Sequence, residues 1–135
     1  MQKLELINKV ITAPLAVVSD KPFRKMLANF TPGLIFSEML SAEAIIRNNQ
    51  KTFKMAIDSN DYKYSAAQVF GSRPEQIRDA ILILKDYFQP YSFDINMGCP
   101  VRKIVKDGAG AALMLNEKKI EKIVNECEQI IVLED

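Results

Sequence analysis

The residues best suited to chemistry lie in the run 94–113, DINMGCPVRKIVKDGAGAAL. Cys99 stands there between Gly98 and Pro100, directly after a short apolar run that ends in Asn96. Because glycine and proline give the backbone unusual or restricted dihedral angles, the thiol is expected on a defined turn at a strand end. A thiolate or an RNA phosphate could be held by the basic residues that follow. These are Arg102, Lys103 and Lys106.

An alternative interpretation of Cys99 is a small buried hydrophobe in a turn, and local chemistry leaves both open. Two further positions suit contact with a flat heteroaromatic ring. The amide of Gln68 can donate and accept at the edge of such a ring, or can simply be solvated at a strand end. Pro14 has no backbone donor and a fixed angle, which permits close approach of a ring or merely ends a strand.

Histidine and cysteine usage excludes several kinds of site. The chain has no histidine, which removes Ser-His-Asp and Cys-His mechanisms and the commonest metal ligand. Cys99 and Cys127 form no CxxC pair, so neither a disulfide framework nor a metal site is predicted. Cys127 falls on the apolar face of a predicted helix and is expected in the core. The run 107–112, DGAGAA, lacks the Walker lysine spacing and is not interpreted as a phosphate loop.

Charge and hydropathy limit the partners. The 135 residues include 18 basic and 17 acidic residues, a formal net charge of +1. No global field therefore steers the chain to nucleic acid or to an anionic membrane, and any RNA contact must be local. No apolar run reaches the roughly 18 residues of a membrane span and no secretory leader is recognisable, so no membrane contact and a cytoplasmic protein are expected.

Four β-type runs must position the candidate residues, and each precedes a helical pattern. They are VITA (10–13), LIFSEM (34–39), YSAAQVF (64–70) and SFDIN (92–96). Strand and helix alternating at roughly thirty-residue intervals predict parallel strands joined by right-handed crossovers, hence an α/β sheet. The loops at the carboxyl ends of such strands converge on one face. The segments expected to meet there are 13–16, 37–39, 68–71 and 96–100.

Capping residues predict where the helices begin. The first helix is expected after Ser19 and Asp20, with Pro22 near its first position, and should stop near 32–33. Ser72 and Glu75 have the spacing of a capping box, which predicts a helix to Tyr87.

The C-terminal third continues this pattern. Asn116 is a predicted cap for a helix whose apolar face includes Ile120 and Ile123. The final IIVL (130–133) would begin a fifth strand. The run 48–60 is assigned to a loop and a short helix or strand.

Four segments together resemble the N-terminal half of the barrel domain of the tRNA-dihydrouridine synthases, a family of flavin-dependent reductases. They occur in the family's order and spacing and are APLAVVSDKPFRKML (13–27), FSEMLSA (36–42), AAQVFGSRPE (66–75) and DINMGCPVRKIVKDGAGAALM (94–114). The resemblance implies a partial TIM-type (β/α) barrel of about four βα units plus the start of a fifth strand. Residues 1–135 would form half of an FMN-binding barrel domain, without the second half barrel and the helical tRNA-binding domain.

The resemblance also implies a reaction, the reduction of the C5=C6 bond of uridine in tRNA with FMN as cofactor and NADPH as reductant. By match of motif, Cys99 would be the general acid that protonates C5. Asn96 would touch the flipped-out uracil. Gln68 would hydrogen-bond the flavin, and backbone and packing contacts to its ring would come from three neighbours. These are Pro14, Leu15 and Ala16.

Two residues depart from the family pattern. Leu15 stands where methionine is usual, a swap of similar volume that should be tolerated. Val17 stands where glycine is usual, and a β-branched residue takes positive φ with difficulty.

A half barrel leaves two parallel edge strands and an apolar inner face uncovered, so a second half-barrel chain or a self-dimer is an expected partner beside tRNA. The alternative is an inactive truncated remnant or a small binding module. Another FMN barrel, such as a dihydroorotate-type oxidoreductase, matches GCPVRKIVKDGAG less well.

Overall fold

A computed structural model describes residues 8–30, 32–56 and 60–131. The helices are α1 (Lys21–Ala28), α2 (Ala42–Ile46), α3 (Gln50–Met55), α4 (Pro74–Phe88), α5 (Arg102–Lys106), a 3₁₀ helix (Gly110–Leu115) and α6 (Glu117–Ile131). The strands are β1 (Ile35–Phe36), β2 (Leu40–Ser41), β3 (Ser65–Phe70) and β4 (Ser92–Ile95). All pairs among these strands are parallel, which confirms the predicted α/β class with a parallel sheet.

The central strand of the described sheet is β3. Ala66 pairs with residues of both β1 and β4, and Val69 pairs with residues of both β2 and β4. It follows that β1 and β2 share one edge of β3 while β4 occupies the other. The strands thus cross the sheet in chain order, as consecutive right-handed βα units require.

The predicted strand 34–39 is present as two pieces because its backbone leaves the ladder at 37–39. Ser37 N–H still donates to the Ala66 carbonyl at 2.9 Å. The Ser37 hydroxyl then accepts from Gln68 N–H at 3.0 Å, where a regular ladder would offer a carbonyl. The first predicted strand, 10–13, is reduced to a single parallel bridge between Ile11 and Leu34.

The hydrophobic core lies between the sheet and α4. Period-2 alternation on β3 turns Ala67 and Val69 toward the core, and both are fully buried. The helix α4 contributes a buried apolar stripe at helical spacing, Ile77, Ala80, Ile81 and Leu84. This helix packs against α2 on one side and α6 on the other. The interior is therefore on one face of the sheet, and the opposite face is left for other contacts.

Helix starts agree with the sequence at two positions and disagree at a third. Asp20 caps α1 by accepting from Phe23 N–H at 2.9 Å, and Asn116 caps α6 by accepting from Lys119 N–H at 3.0 Å. The predicted Ser72 cap is wrong, because α4 has Arg73 at its N-cap, without a side-chain cap bond. Its Pro74 occupies the first turn, where the fixed φ and absent N–H suit the helix without a capping box.

The helix ends differ from the predictions more than the helix starts do. α1 stops at Ala28, one turn before the predicted 32–33. α6 runs through Ile130 and Ile131, so the predicted fifth strand is wrong at those two residues, and 132–133 lie outside the described residues. The apolar pattern of α6 is not interrupted by glycine or proline, so no local signal ends this helix before Ile130. The run 48–60 contains the short helix α3; 57–59 lie outside the described residues.

In the described ranges, no helix combines the length and apolar character needed to cross a membrane.

Candidate functional site

The face of the sheet opposite α4 carries a row of polar side chains. Gln68 on β3 lies directly opposite Asp94 on β4. Asn96 follows two residues later and so points to the same side. We call Gln68, Asp94 and Asn96 the polar face. It lies at the carboxyl ends of the strands, where the sequence predicted that functional segments would meet.

The polar face is joined into one hydrogen-bond chain. Gln68 Nε2 donates to Asp94 Oδ2 at 2.5 Å. Asn96 Nδ2 donates to Gln68 Oε1 at 3.0 Å. Asn96 Oδ1 then accepts from Cys99 N–H at 3.0 Å and from Gly98 N–H at 3.3 Å. The structure therefore connects three sequence-predicted site residues, Gln68, Asn96 and Cys99, through side chain and backbone.

The loop that carries Cys99 is fixed from two directions. Besides the bond from its N–H to Asn96, the Cys99 carbonyl accepts from Ala111 N–H at 3.0 Å. Gly110 packs directly against this carbonyl, with a φ of +57°, and an added Cβ there would lie 2.6 Å from the oxygen. The glycine-rich run thus supports the Cys99 loop. The thiol-bearing residue itself is partly exposed, as a reactive side chain requires.

Gly98 does not have the unusual dihedral angle expected from the sequence, because the positive-φ glycines of the described chain are Gly108 and Gly110. A Cβ on Gly98 would meet no atom within 4 Å. The space beside it is open, so a flat group can approach the backbone next to Cys99. Three nearby cations lie on α5, and within the described residues none of them forms a salt bridge. These are Arg102, Lys103 and Lys106.

The turn 14–19 contains the three residues implied to line a flavin ring. Ser19 Oγ accepts from Leu15 N–H at 2.9 Å, and Ser19 N–H donates to the Leu15 carbonyl at 2.8 Å. The Leu15 and Ala16 side chains are exposed while Pro14 is half-buried. In the described chain, this turn has no direct hydrogen bond to the polar face.

The break between β1 and β2 links the turn to the polar face indirectly. Glu38 is buried, and its Oε1 accepts from Val17 N–H at 2.5 Å. The preceding residue, Ser37, accepts from the backbone N–H of Gln68. Ser37 and Glu38 stood among the expected strand-end residues without an assigned role. Their backbone contacts hold the turn beside β3.

Arg24 was not among the residues predicted from the sequence, and it is 1% exposed beneath the turn. Its Nη1 donates to the Ser19 carbonyl at 2.5 Å and its Nη2 to the Ala56 carbonyl at 3.0 Å. Burial lowers the pKa of the guanidinium from its ordinary value, while nearby carboxylates, Asp61 foremost and then Glu38, oppose that shift. An arginine on a short amphipathic helix is ordinarily exposed, so its burial could not be read from the pattern.

A cavity of about 640 Å³ opens beyond the carboxyl ends of β2 and β3. It reaches the Cys99 loop at Val101 and Ile104. Its charged lining is balanced, with two cations and two carboxylates, namely Arg73, Lys103, Glu43 and Asp107. Among the described residues, no group of three or more acidic, cysteine or histidine side chains is arranged to hold a metal ion.

Val17 adopts a φ of +68°, a conformation that glycine takes freely and a β-branched residue does not. A β-branched residue in this region costs about 1–2 kcal/mol. Val17→Gly is therefore expected to raise the free energy of unfolding by about 1 kcal/mol, measured by urea denaturation. Val18→Gly, beside it and outside the positive-φ set, should lower it. If Val17→Gly also destabilises the chain, the strain assigned to Val17 is wrong.

The two cysteines should differ sharply in reactivity. Cys127 is buried against the core, and burial, assisted by the Glu126 carboxylate, raises the pKa of its thiol to about 11. Because the thiolate is the nucleophile, iodoacetamide at pH 8 is expected to alkylate Cys99 and to leave Cys127 unmodified until the chain unfolds. Peptide mass spectrometry distinguishes the two sites. Equal alkylation in the folded chain would contradict the burial of Cys127.

The same shift predicts a pH dependence of stability. The folded chain keeps the Cys127 proton above the ordinary thiol pKa of about 8.5, up to about pH 11. The unfolded chain loses that proton first, so this contribution is complete below about pH 8.5 and is lost as pH rises toward 11. The urea midpoint of the chain should fall more steeply over this window than that of Cys127→Ala.

The chain is similar to known proteins over the segments that form this site. The family model for dihydrouridine synthase (Dus) matches residues 11–132. A probable tRNA-dihydrouridine synthase of Treponema pallidum (strain Nichols) is 33% identical over 132 residues, covering 98% of this chain and 39% of that protein. A second, from Rickettsia typhi (strain ATCC VR-144 / Wilmington), is 37% identical over 121 residues, covering 89% of this chain and 37% of that protein.

The tRNA-dihydrouridine synthase B of Pasteurella multocida (strain Pm70) is 31% identical over 121 residues, which cover 90% of this chain and 36% of that protein. The chain thus spans less than two fifths of the length of these curated relatives. The family match includes the Cys99 loop, the polar face and the turn 14–19. The chain belongs to the dihydrouridine synthase family.

Proposed function

We propose that the chain is the first half of the (β/α) barrel of an FMN-dependent tRNA-dihydrouridine synthase and carries the proton-donating part of its active site. The reaction is reduction of the C5=C6 bond of a uridine in tRNA, with NADPH as the reductant. The three relatives named tRNA-dihydrouridine synthases support the substrate class. The parallel strands in chain order support the half barrel.

The observation that carries this proposal is the hydrogen-bond chain from Asp94 to the backbone of Cys99. A general acid must hold its proton at a fixed place relative to the reacting carbon. The Cys99 loop is anchored at its N–H and at its carbonyl while its side chain is partly exposed. Cys99 therefore donates its Sγ proton to uracil C5, and Asn96 contacts the base. A stacked base is out of reach, so the uridine is flipped out.

The described residues fit the ring end of FMN. The exposed turn at Leu15 and Ala16 offers an apolar surface. Gln68 keeps one amide hydrogen beyond the one donated to Asp94, which suits a ring carbonyl or nitrogen. The open space beside Gly98 admits a flat group. When bound and reduced, FMN would supply the hydride to uracil C6.

The free edge of β4 is a place where a strand of a partner chain could pair. Within the described residues, β4 pairs with β3 along one edge and has no strand on the other. A parallel strand from the rest of the barrel, on a second half-barrel chain or in a self-dimer, would cover this edge. Such a strand would continue the sheet beyond β4 toward a closed barrel.

The visible absorption spectrum of the purified chain, after incubation with FMN and desalting, tests the proposal. Retained flavin absorbance is expected, with the chain alone or with the complementary half barrel of a relative. In the flavin-loaded preparation, Cys99→Ala should retain FMN and lose dihydrouridine formation by about 10²-fold or more. Cys127→Ala is the matched control and should keep both FMN binding and dihydrouridine formation. A colourless mixture of the chain and the complementary half barrel, or full activity of Cys99→Ala, would contradict the proposal.

A further inference from the structure

The hydrogen-bond chain of the polar face has a direction that its two ends impose. At one end, the Asp94 carboxylate can accept hydrogen bonds and has no hydrogen to donate. At the other end, the backbone N–H groups of Gly98 and Cys99 can donate and cannot accept. Between them lie the amides of Gln68 and Asn96, each with one donor end and one acceptor end.

One arrangement of the two amides satisfies both ends. Gln68 turns Nε2 to the carboxylate and Oε1 to Asn96, which turns Nδ2 to Gln68 and Oδ1 to the Cys99 loop. Rotating either amide by 180° would place two donors or two acceptors against each other. Gln68 is 6% exposed, and an unmade hydrogen bond at a buried amide is costly.

The direction decides what the polar face offers to a ligand. An amide NH₂ group has two hydrogens, and this chain uses one from Gln68 and one from Asn96. Each amide therefore keeps an N–H for a ligand while its carbonyl oxygen is engaged inside the protein. Such a face matches ring carbonyl oxygens, as in uracil, and mismatches an exocyclic amino group, as in cytosine.

We propose that Asp94 is a positioning residue that acts through Gln68 and fixes the orientation of the Asn96 amide. The identity of the ring ligand rests on the proposed function, whereas the direction of the chain does not. Within the described chain no hydrogen bond joins Asp94 to Cys99 directly, so the effect of Asp94 passes through the amides of Gln68 and Asn96. The sequence offered one signal for it, its period-2 spacing from Asn96 on the same strand.

Moving the carboxylate tests the inference. In Asn96→Asp, carboxylates flank Gln68 on both sides, so its Oε1 must face one of them. We expect the folding equilibrium constant of the purified chain, measured by urea denaturation, to fall at least tenfold. Adding Asp94→Asn supplies a donor to Gln68 Oε1 and lets Gln68 Nε2 donate to the new carboxylate at position 96. Both side-chain bonds of Gln68 are then reversed, while position 96 still accepts from the Cys99 loop. The double variant should recover most of the lost stability.

Two controls separate direction from charge. Asp94→Leu in the Asn96→Asp background also removes the like charge but supplies no donor, and it should recover clearly less than Asp94→Asn. Asp86→Asn, at an exposed position on α4, also removes one negative charge and should recover nothing. Equal recovery by Asn and Leu at position 94, or no recovery by Asn, would overturn the inference.

The outcome can be decided even where Asn96→Asp does not fold. Far-ultraviolet circular dichroism then takes the place of the urea midpoint, and a folded Asp94→Asn double variant beside an unfolded Asp94→Leu one supports the inference. Two unfolded double variants contradict it. None of these measurements uses FMN or RNA. A colourless mixture of the chain and the complementary half barrel would therefore refute the proposed function and leave the direction of the hydrogen-bond chain standing.

Discussion

Gly110→Ala is expected to lower the free energy of unfolding by about 3 kcal/mol. The residue has a φ of +57°, and an ideal Cβ would lie 2.6 Å from the Cys99 carbonyl oxygen and 3.0 Å from Ile104 Cγ2. The left-handed backbone costs an L-residue about 1–2 kcal/mol. The overlap costs a further 1–3 kcal/mol or so, because one of its partners is backbone and cannot rotate away.

Gly108→Ala provides the matched control for this prediction. Its φ of +75° carries a similar conformational cost. The nearest atoms to its added Cβ, Lys119 Nζ and Ser72 Cβ, lie at 3.6 and 3.7 Å, which is ordinary contact. We expect a loss of about 1 kcal/mol, from the backbone alone. Urea denaturation of both variants measures the difference, and equal losses would contradict the close contact between Gly110 and the Cys99 loop.

The two variants should also differ at the thiol. Relief of the overlap at Gly110 requires the Cys99 carbonyl to move, which lengthens its bond from Ala111 N–H. The rate of iodoacetamide alkylation of Cys99 is then expected to change in Gly110→Ala and to stay near that of the unsubstituted chain in Gly108→Ala. This readout follows the position of the loop independently of overall stability, provided that both variants are assayed well below their urea midpoints.

The fold class and the meeting of Gln68, Asn96 and Cys99 were predictable because they depend on local pattern. Alternating strands and helices dictate a parallel sheet, and a parallel sheet collects its strand ends at one edge. Period 2 then places Gln68 and Asn96 on one face. What the residues do to each other was not predictable, because a hydrogen-bond direction depends on the register between β3 and β4, which pairs Gln68 with Asp94.

The failures arise where a tertiary contact or a missing signal decided the outcome. The Ser72 cap failed because Pro74 satisfies the start of α4 by itself. The predicted strand at 130–133 is wrong at Ile130 and Ile131. Apolar β-branched residues favour a strand locally, but the apolar face formed by Ile120, Ile123 and Cys127 continues α6 through these two residues. At Val17 the prediction and the structure agree. The sequence indicated a β-branched residue in conflict with positive φ, and Val17 has a positive φ in the fold.

Arg24→Met is expected to cost about 4 kcal/mol of unfolding free energy. The guanidinium donates to three backbone carbonyls, those of Ser19, Met55 and Ala56, at 2.5, 3.4 and 3.0 Å. Methionine fills most of the volume and donates to none of them, so buried acceptors are left without partners at about 1–3 kcal/mol each for the two closer ones. The loss also removes the cation that faces the buried Glu38 carboxylate.

Lys25→Met is the matched control, because Lys25 is the next residue on α1 and is exposed. Surface changes of this kind stay within about 0.5 kcal/mol, so urea denaturation should separate the variants by several kcal/mol. Similar losses at both positions would contradict a structural role for the buried guanidinium. Arg24→Lys should fall between them, since an ammonium on a shorter reach satisfies fewer of the carbonyls.

The effect of Arg24 extends beyond stability because its three bonds join separate parts of the fold. The Ser19 carbonyl closes the turn 14–19, and the other two acceptors end α3. Glu38 holds the same turn from the other side, through Val17 N–H. In a flavin-loaded preparation, Arg24→Met should therefore weaken FMN retention at temperatures where the chain remains folded, and Lys25→Met should not. Unchanged retention would mean that the turn keeps its shape without Arg24.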